Sequence, residues 1–288
     1  GSTQTTADGC TYVGYNAGLN NNGGYNTIIG DRAFDASADS TSANNVIIGA
    51  NAGSAVNSAY SSDNIFLGYD AGLGGSGRIH SSIAIGRNAL KSTAANDVTG
   101  QIAIGHEALT ALTSGDNNTV LGYQSGKALT VESSNTAIGY GAMSAVAKGS
   151  GGSQYTNHNI AIGVNAMTGG IPASGSFEHN IAIGNEALNS TGTSAGTSGT
   201  IAIGSSALTA LTDGQYNTAI GYEALKTEDT GDFNTAIGYQ ALATQNRDGT
   251  VSNTAVGYKA GYAVTDGWYD TLIGSNAGVA LTTGFNTT

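Results

Sequence analysis

The 288-residue chain has one cysteine and one proline, and only 10% of its residues are charged. The single cysteine, Cys10, cannot form an intramolecular disulfide, which leaves the redox compartment open. Nine Lys and Arg residues stand against twenty Asp and Glu, with no basic run, so no nucleic-acid partner is expected. The apolar runs are far shorter than the roughly 20 residues of a membrane-spanning helix, so this segment is not expected to insert into a membrane.

Glycine is abundant instead, with 45 residues that follow no collagen-like period of three. Fifteen of them belong to a repeated phrase, Asn-Thr-Ala-Ile-Gly-x-x-Ala-Leu, which is clearest at 217–225 and 234–242. A repeat every 16 to 24 residues predicts a solenoid, in which each repeat buries its apolar face against its neighbours. The aligned glycines are Gly14, Gly30, Gly49, Gly68, Gly86, Gly105, Gly122, Gly139, Gly163, Gly184, Gly204, Gly221, Gly238, Gly257 and Gly274.

Each phrase has the pattern of a short strand that ends at the glycine. The residue before the glycine is aliphatic in every copy, the second before it is Ala in nine copies, and the third is Thr or a β-branched aliphatic. Such alternation before a glycine is typical of a β-strand. Neither face of the strand is polar, as in stacked parallel strands. The sequence therefore predicts an all-β fold, a parallel β-solenoid of about fifteen coils.

The two apolar faces of each strand also predict an oligomer. A solenoid coil is too thin to bury both faces alone, so we expect the small Ala face to meet another chain. The first four coils replace that Ala with Tyr12, Ile28, Ile47 and Phe66, which predicts a different chain–chain contact at that end.

The turn and connector residues complete the predicted coil. Asn stands four residues before the glycine in ten copies, which predicts a ladder of stacked amides; alternatively, Asn only tolerates the turn. We expect one repeat domain over 1–288, open at its C-terminal end, where 284–288 begins a sixteenth phrase. Without a polar capping repeat, the chain is expected to be a fragment of a longer rod or to stack end to end.

The repeated Asn-Thr-Ala-Ile-Gly-x-x-Ala phrase resembles the head repeats of trimeric autotransporter adhesins (YadA-like heads) and related repeats of phage tail fibres. The resemblance covers about residues 10 to 278. It implies a left-handed parallel β-roll, a homotrimeric rod and an extracellular location on a bacterial cell, a virion or a secreted filament. It also implies an adhesive surface whose partner is a cell-surface glycan or a protein receptor.

Catalytic chemistry finds little support in the sequence. Ile-Gly-x-x-Ala also fits the hexapeptide motif of β-helix acyltransferases, but those need about three hexapeptides per coil and this chain has one. There is no Ser/His/Asp or Cys/His arrangement, phosphate loop or metal motif. We therefore predict no catalytic residue, no cofactor and no metal ligand.

Tyrosine follows the glycine in seven copies, and the neighbouring coils at Tyr222, Tyr239 and Tyr258 should place three rings in a row. Such a row is a candidate ligand site for sugar rings or another protein. The alternative is a ladder that packs on itself and stabilises the rod.

Two further sets of polar residues have a functional and a structural interpretation. His158 and His179 fall at one position in successive coils, close to Glu178, and would bind a metal or stand as solvated loop residues. The loop aspartates would either bind calcium or be solvated residues that favour the turn conformation. They are Asp116, Asp213, Asp232 and Asp266.

Together these observations predict a non-enzymatic extracellular fibre segment that acts in adhesion or receptor binding. The alternative is a self-assembling structural subunit of an extracellular filament or matrix, glycosylated or not. Acceptor sequons for N-glycosylation occur at Asn117, Asn189 and Asn286.

Overall fold

A computed structural model describes residues 8–35, 41–56, 58, 60–146, 156–169, 176–189 and 196–288. Within these ranges every regular element is a β-strand of two or three residues, and no helix long and apolar enough to cross a membrane is found. The chain divides into two compact units, 1–138 and 139–288.

The first unit contains a parallel sheet in which each strand pairs with the equivalent strand of the next coil. The pairs run in the order β1-β2-β3-β4-β6-β8-β9-β10, and β5 pairs separately with β7. The strands are β1 (Thr11–Val13), β2 (Thr27–Ile29), β3 (Val46–Ile48), β4 (Ile65–Leu67), β5 (Ile79–His80), β6 (Ile83–Ile85), β7 (Val98–Thr99), β8 (Ile102–Ile104), β9 (Thr119–Leu121) and β10 (Thr136–Ile138).

The second unit repeats this arrangement. Its parallel pairs run in the order β11-β12-β13-β14-β16-β18-β19, and β15 pairs with β17. The register aligns equivalent residues, so that Ala182 lies beside Ala202 and Ala202 beside Ala219. The strands are β11 (Ile160–Ile162), β12 (Ile181–Ile183), β13 (Ile201–Ile203), β14 (Thr218–Ile220), β15 (Gly231–Asp232), β16 (Thr235–Ile237), β17 (Gly249–Thr250), β18 (Thr254–Val256) and β19 (Thr271–Ile273).

The prediction of an all-β, parallel β-solenoid is therefore confirmed in each unit. The handedness, the number of coils, the single repeat domain and the assembly into a trimer stay predictions.

The glycine that ends each phrase strand is required by two features of the stack. Gly204 has a backbone φ of +134°, a conformation that residues other than glycine rarely adopt. A Cβ atom on Gly204 would also lie 2.6 Å from the carbonyl carbon of Gly221 in the next coil. Only a residue without a side chain lets neighbouring coils approach this closely.

The Ala face of each strand lines the interior of its own coil, so the expectation that it meets another chain is wrong. Ala182, Ala202 and Ala219 are fully buried within the single chain. Leu188 and Leu208, which follow the strands by a turn, are also fully buried in the coil. In these coils the Leu of the turn fills most of the interior, and the strand residue that faces it is the small Ala.

The larger strand residues of the first coils face inward too, although Ile28 shares its coil with the equally large and fully buried Phe34. Ile28, Ile47 and Phe66 are fully buried, so the expectation that they alter a chain–chain contact is also wrong. Phe66 is accommodated because the residue four after its glycine is Gly72, where a Cβ atom would lie 2.6 Å from the Phe66 ring. The same exchange of Leu or Met for Gly occurs opposite Tyr12, Ile47, Val120 and Leu272, with glycines at Gly18, Gly53, Gly126 and Gly278.

The predicted amide ladder is confirmed in both units. Asn180 is fully buried, and its Oδ1 accepts a hydrogen bond from the backbone N–H of Thr200 in the next coil at 3.0 Å. Its Nδ2 donates to Asn159 Oδ1 at 3.1 Å and to the backbone oxygen of Thr197 at 2.8 Å. Each ladder side chain thus satisfies backbone groups that the short strands leave unpaired. Ser82, Gln101, Thr200 and Asp270 accept the equivalent backbone hydrogen bond where Asn is replaced.

Candidate binding surface

The outward face of the phrase strands is apolar and partly exposed. The first and third residue of every phrase strand is Thr, Val, Ile or Leu, and none is charged. Ile48 and Ile65 in the first unit are 38% and 37% exposed, and Ile237 in the second unit is 37% exposed. At about 3.3 Å per residue, a three-residue strand gives a strip about 10 Å wide. We call this surface the aliphatic strip of each unit.

The predicted stacking of Tyr222, Tyr239 and Tyr258 is confirmed. Their ring centroids are 5.3 and 5.4 Å apart, with interplanar angles of 11° and 12°. Each inner ring face is therefore covered by the neighbouring ring, and ring faces without a stacked neighbour remain only at the two ends of the row, where the next coils have Ser205 and Ser275. This geometry favours the self-packing interpretation of the row, and its ligand-binding role stays a prediction.

A carboxylate beside this row organises the polar side chains around it. Glu223 accepts hydrogen bonds from Lys226 Nζ and Gln240 Nε2, both at 2.7 Å. The hydrogen bond from Lys226 lowers the pKa of Glu223 below its ordinary value. The negative charge of Glu223 in turn raises the pKa of Tyr222 above its ordinary value.

A second aromatic row in the same unit was not foreseen from the sequence. Tyr216 and Phe233 stack at 5.3 Å with an interplanar angle of 14°, and both are about half exposed. They stand five residues before the glycine, the position that His158 and His179 take in earlier coils. The shared position was the signal that would have revealed them.

The stacking of His158 on His179 is confirmed, at 5.1 Å between ring centroids and 5° between planes. Both imidazoles are exposed. Among the residues that the structure describes, no group of three or more His, Cys, Asp or Glu side chains could hold a metal ion.

The loop aspartates interact with neighbouring coils. Asp116 Oδ1 accepts a hydrogen bond from Thr99 N at 2.7 Å, and Asp232 Oδ1 accepts one from Gln215 N at 2.7 Å. Asp266 forms an ion pair with Arg247. The backbone N–H of Asp213 donates to Asp229 O at 3.0 Å. The loop aspartates thus already have interaction partners within the chain.

A groove in the first unit crosses three successive coils in the connectors, outside the repeated phrase. It has a volume of about 420 Å³, and its lining includes one residue of β5, His80, and one of β7, Thr99. Arg78 and Asp97 hold each other there through Nε–Oδ2 at 2.8 Å and Nη2–Oδ2 at 2.6 Å. The Arg78 hydrogen bond lowers the pKa of the Asp97 carboxyl. The lining residues are Tyr60, Ser62, Arg78, His80, Asp97 and Thr99.

One carboxyl is buried in the core of the second unit. Glu228 lies seven residues after Gly221, where other coils have buried residues such as Leu211 and Val264. Its Oε1 accepts a hydrogen bond from Gly231 N at 2.7 Å, whereas Oε2 has no hydrogen-bond partner. Burial raises the pKa of this carboxyl above its ordinary value.

Comparison with known proteins gives no relative for this chain. No family model matches the sequence, and neither a curated protein nor a solved structure is found to be similar.

Proposed function

We propose that this chain is a non-enzymatic segment of an extracellular fibre, which associates with copies of itself and acts in adhesion. The proposal is supported by the stacked strands, by the low charge content of 10% and by the resemblance of the repeated phrase to adhesin heads and tail fibres. The single observation that carries it is the aliphatic strip. An all-parallel sheet is almost always covered on both faces, and the interior of the coil covers only one.

Further copies of this chain are the cover that fits the strip best. The strip has no charged residue, so no charged side chain of the strip would be buried where two strips meet. Its side chains repeat at the strand spacing of about 4.8 Å, and the strip of a second copy has the same spacing. Contiguous exposed apolar surface of this kind typically marks an interaction site.

Three copies suit the narrow width of the strip. Sheets that pack face to face lie about 10 Å apart, and the strip is itself about 10 Å wide. Three strips can therefore enclose one shared apolar core around a threefold axis, with all chains equivalent. The homotrimer implied by the resemblance is the assembly that we propose.

The mass of the purified chain across a concentration series tests this assembly. We expect a species of three 28.6 kDa chains in light scattering or native mass spectrometry. The double variant Ile48→Lys with Ile65→Lys should shift the mass to that of one chain, because unpaired ammonium groups would be buried between the strips. Val131→Lys is the matched control, since Val131 lies in a loop and is 38% exposed.

The outcomes separate the alternatives. A wild-type chain that remains a monomer at tens of micromolar would contradict association through the strip. A mass that grows without limit with concentration, with filaments in electron micrographs, would replace the trimer by the self-assembling filament subunit. Equal dissociation of the Val131→Lys control would show that the variants act through stability rather than through the strip.

A further inference from the structure

We propose that the groove lined by Tyr60, Arg78 and Asp97 binds a neutral saccharide. The inference gives the adhesive function a ligand class and a site, and it rests on that function. It assigns binding to residues of the first unit rather than to the tyrosine row that the sequence suggested.

Tyr60 differs from the stacked tyrosines because its ring is open to a ligand. It is 65% exposed, and no ring stacks on it within the described part of the chain. In the row at Tyr222, Tyr239 and Tyr258 the rings cover one another. The apolar face of a sugar ring needs a free aromatic face, which Tyr60 presents at the edge of the groove.

The polar side chains of the groove are suited to sugar hydroxyl groups. Arg78 donates from its backbone N–H to Asp97 Oδ1 at 2.8 Å and from its guanidinium to Oδ2, which fixes both side chains. A fixed carboxylate accepts hydrogen bonds from hydroxyl groups, and a fixed guanidinium donates to their oxygens. Thr99, His80 and Ser62 add further hydroxyl and imidazole groups along the wall. Because the ion pair is already formed, little ordering is needed when a ligand binds.

The size and charge of the groove indicate a neutral ligand. Its volume of about 420 Å³ lies within the roughly 300–1,000 Å³ of small-ligand sites. Asp97 neutralises Arg78, and Asp63 lies 3.8 Å from the imidazole of His80. No unpaired cation is therefore left to attract a carboxylate or sulfate, and the chain as a whole is negative at −11.

Ligand-observed NMR on the full chain tests the groove. The probes are glucose, galactose, mannose and N-acetylglucosamine, with sialic acid as the anionic comparison, followed by calorimetric titration of the sugars that bind. We expect at least one neutral sugar to bind. The variant Tyr60→Ala should weaken that binding by about tenfold or more, and Asp97→Asn should also weaken it. Tyr15→Ala is the matched control, because Tyr15 is 67% exposed and lies outside the groove.

Each outcome bears on the groove separately from the fibre. Three results would overturn the proposal that the groove binds a neutral saccharide. They are unchanged affinity in a folded Tyr60→Ala protein, no response to any neutral sugar, and binding of sialic acid alone. Loss of binding in Tyr239→Ala rather than Tyr60→Ala would return the ligand to the tyrosine row. The chain mass does not depend on Tyr60, so a trimer that binds no sugar would overturn this inference while the proposed fibre stands.

Discussion

The amide ladder predicts a large loss of stability when one of its members is truncated. In Asn180→Ala the backbone N–H of Thr200 and the backbone oxygen of Thr197 lose the partners that they have at 3.0 and 2.8 Å. Each buried, unpaired backbone group costs about 1–3 kcal/mol, so we expect a loss of about 2–6 kcal/mol. The lower end applies if a water molecule enters the vacated space and bonds both groups.

Two further variants make the comparison specific. Asn180→Thr should cost less than Asn180→Ala, because Thr200 takes the same position in the next coil and its Oγ1 accepts from Asn217 N at 3.4 Å. Asn185→Ala removes an exposed amide one turn after the strand and should change the unfolding free energy by less than about 0.5 kcal/mol.

Urea unfolding followed by circular dichroism would measure these differences at one fixed protein concentration, since association also contributes to stability. Hydrogen exchange of the peptide that contains Thr200 would localise the effect. If Asn180→Ala and Asn185→Ala have the same midpoint, the hydrogen bonds of the ladder do not hold the coils together, and the reasoning fails.

Two other changes test the coil interior. Gly204→Ala should lower the free energy of unfolding by about 3 kcal/mol or more, because the added Cβ atom would meet the backbone of Gly221. Gly274 has a similar φ of +126°, but no atom lies within 4 Å of its added Cβ, so Gly274→Ala should lower the free energy of unfolding by less. Equal midpoints of the two variants in thermal unfolding would contradict the contact argument. The raised pKa of Glu228 means that the folded chain holds a proton which the unfolded chain has already released. Stability should therefore fall as the pH rises from about 4.5 through the folded pKa, and Glu228→Gln should remove that part of the slope in a pH series of melts.

The architecture could be predicted from the sequence because identical backbone requirements recur in every coil. The glycine at Gly204 is required by a contact with Gly221, the equivalent residue of the next coil, so its spacing alone reveals the stack. The same holds for Asn180, whose amide bonds to the equivalent positions on both sides. Because these interactions repeat in every coil, they could be predicted from the sequence.

The groove could not be predicted, because it is built from connectors that do not repeat. Arg78 and Asp97 lie 19 residues apart and pair only because their connectors stack in register. No period in the sequence sets the length of those connectors. The tyrosine row shows the converse, since the repeat of its position in successive coils predicted the stacking of its rings.

The direction of each strand face was in the sequence, although alternation alone does not reveal it. Alternation shows that two faces exist, and both are apolar here, so hydrophobicity cannot distinguish interior from exterior. The exchange of volume between the two positions can, because Phe66 occurs with Gly72 and Ala219 occurs with Leu225. Most coils follow this exchange, and the exceptions are Ile28 with Phe34 and Ala255 with Gly261. Two positions that compensate in size must fill the same space, which places the Ala face inside the coil. The uncompensated Ile and Thr positions then lie outside. It follows that the surface for association is the larger, β-branched face, and the variants at Ile48 and Ile65 test that assignment directly.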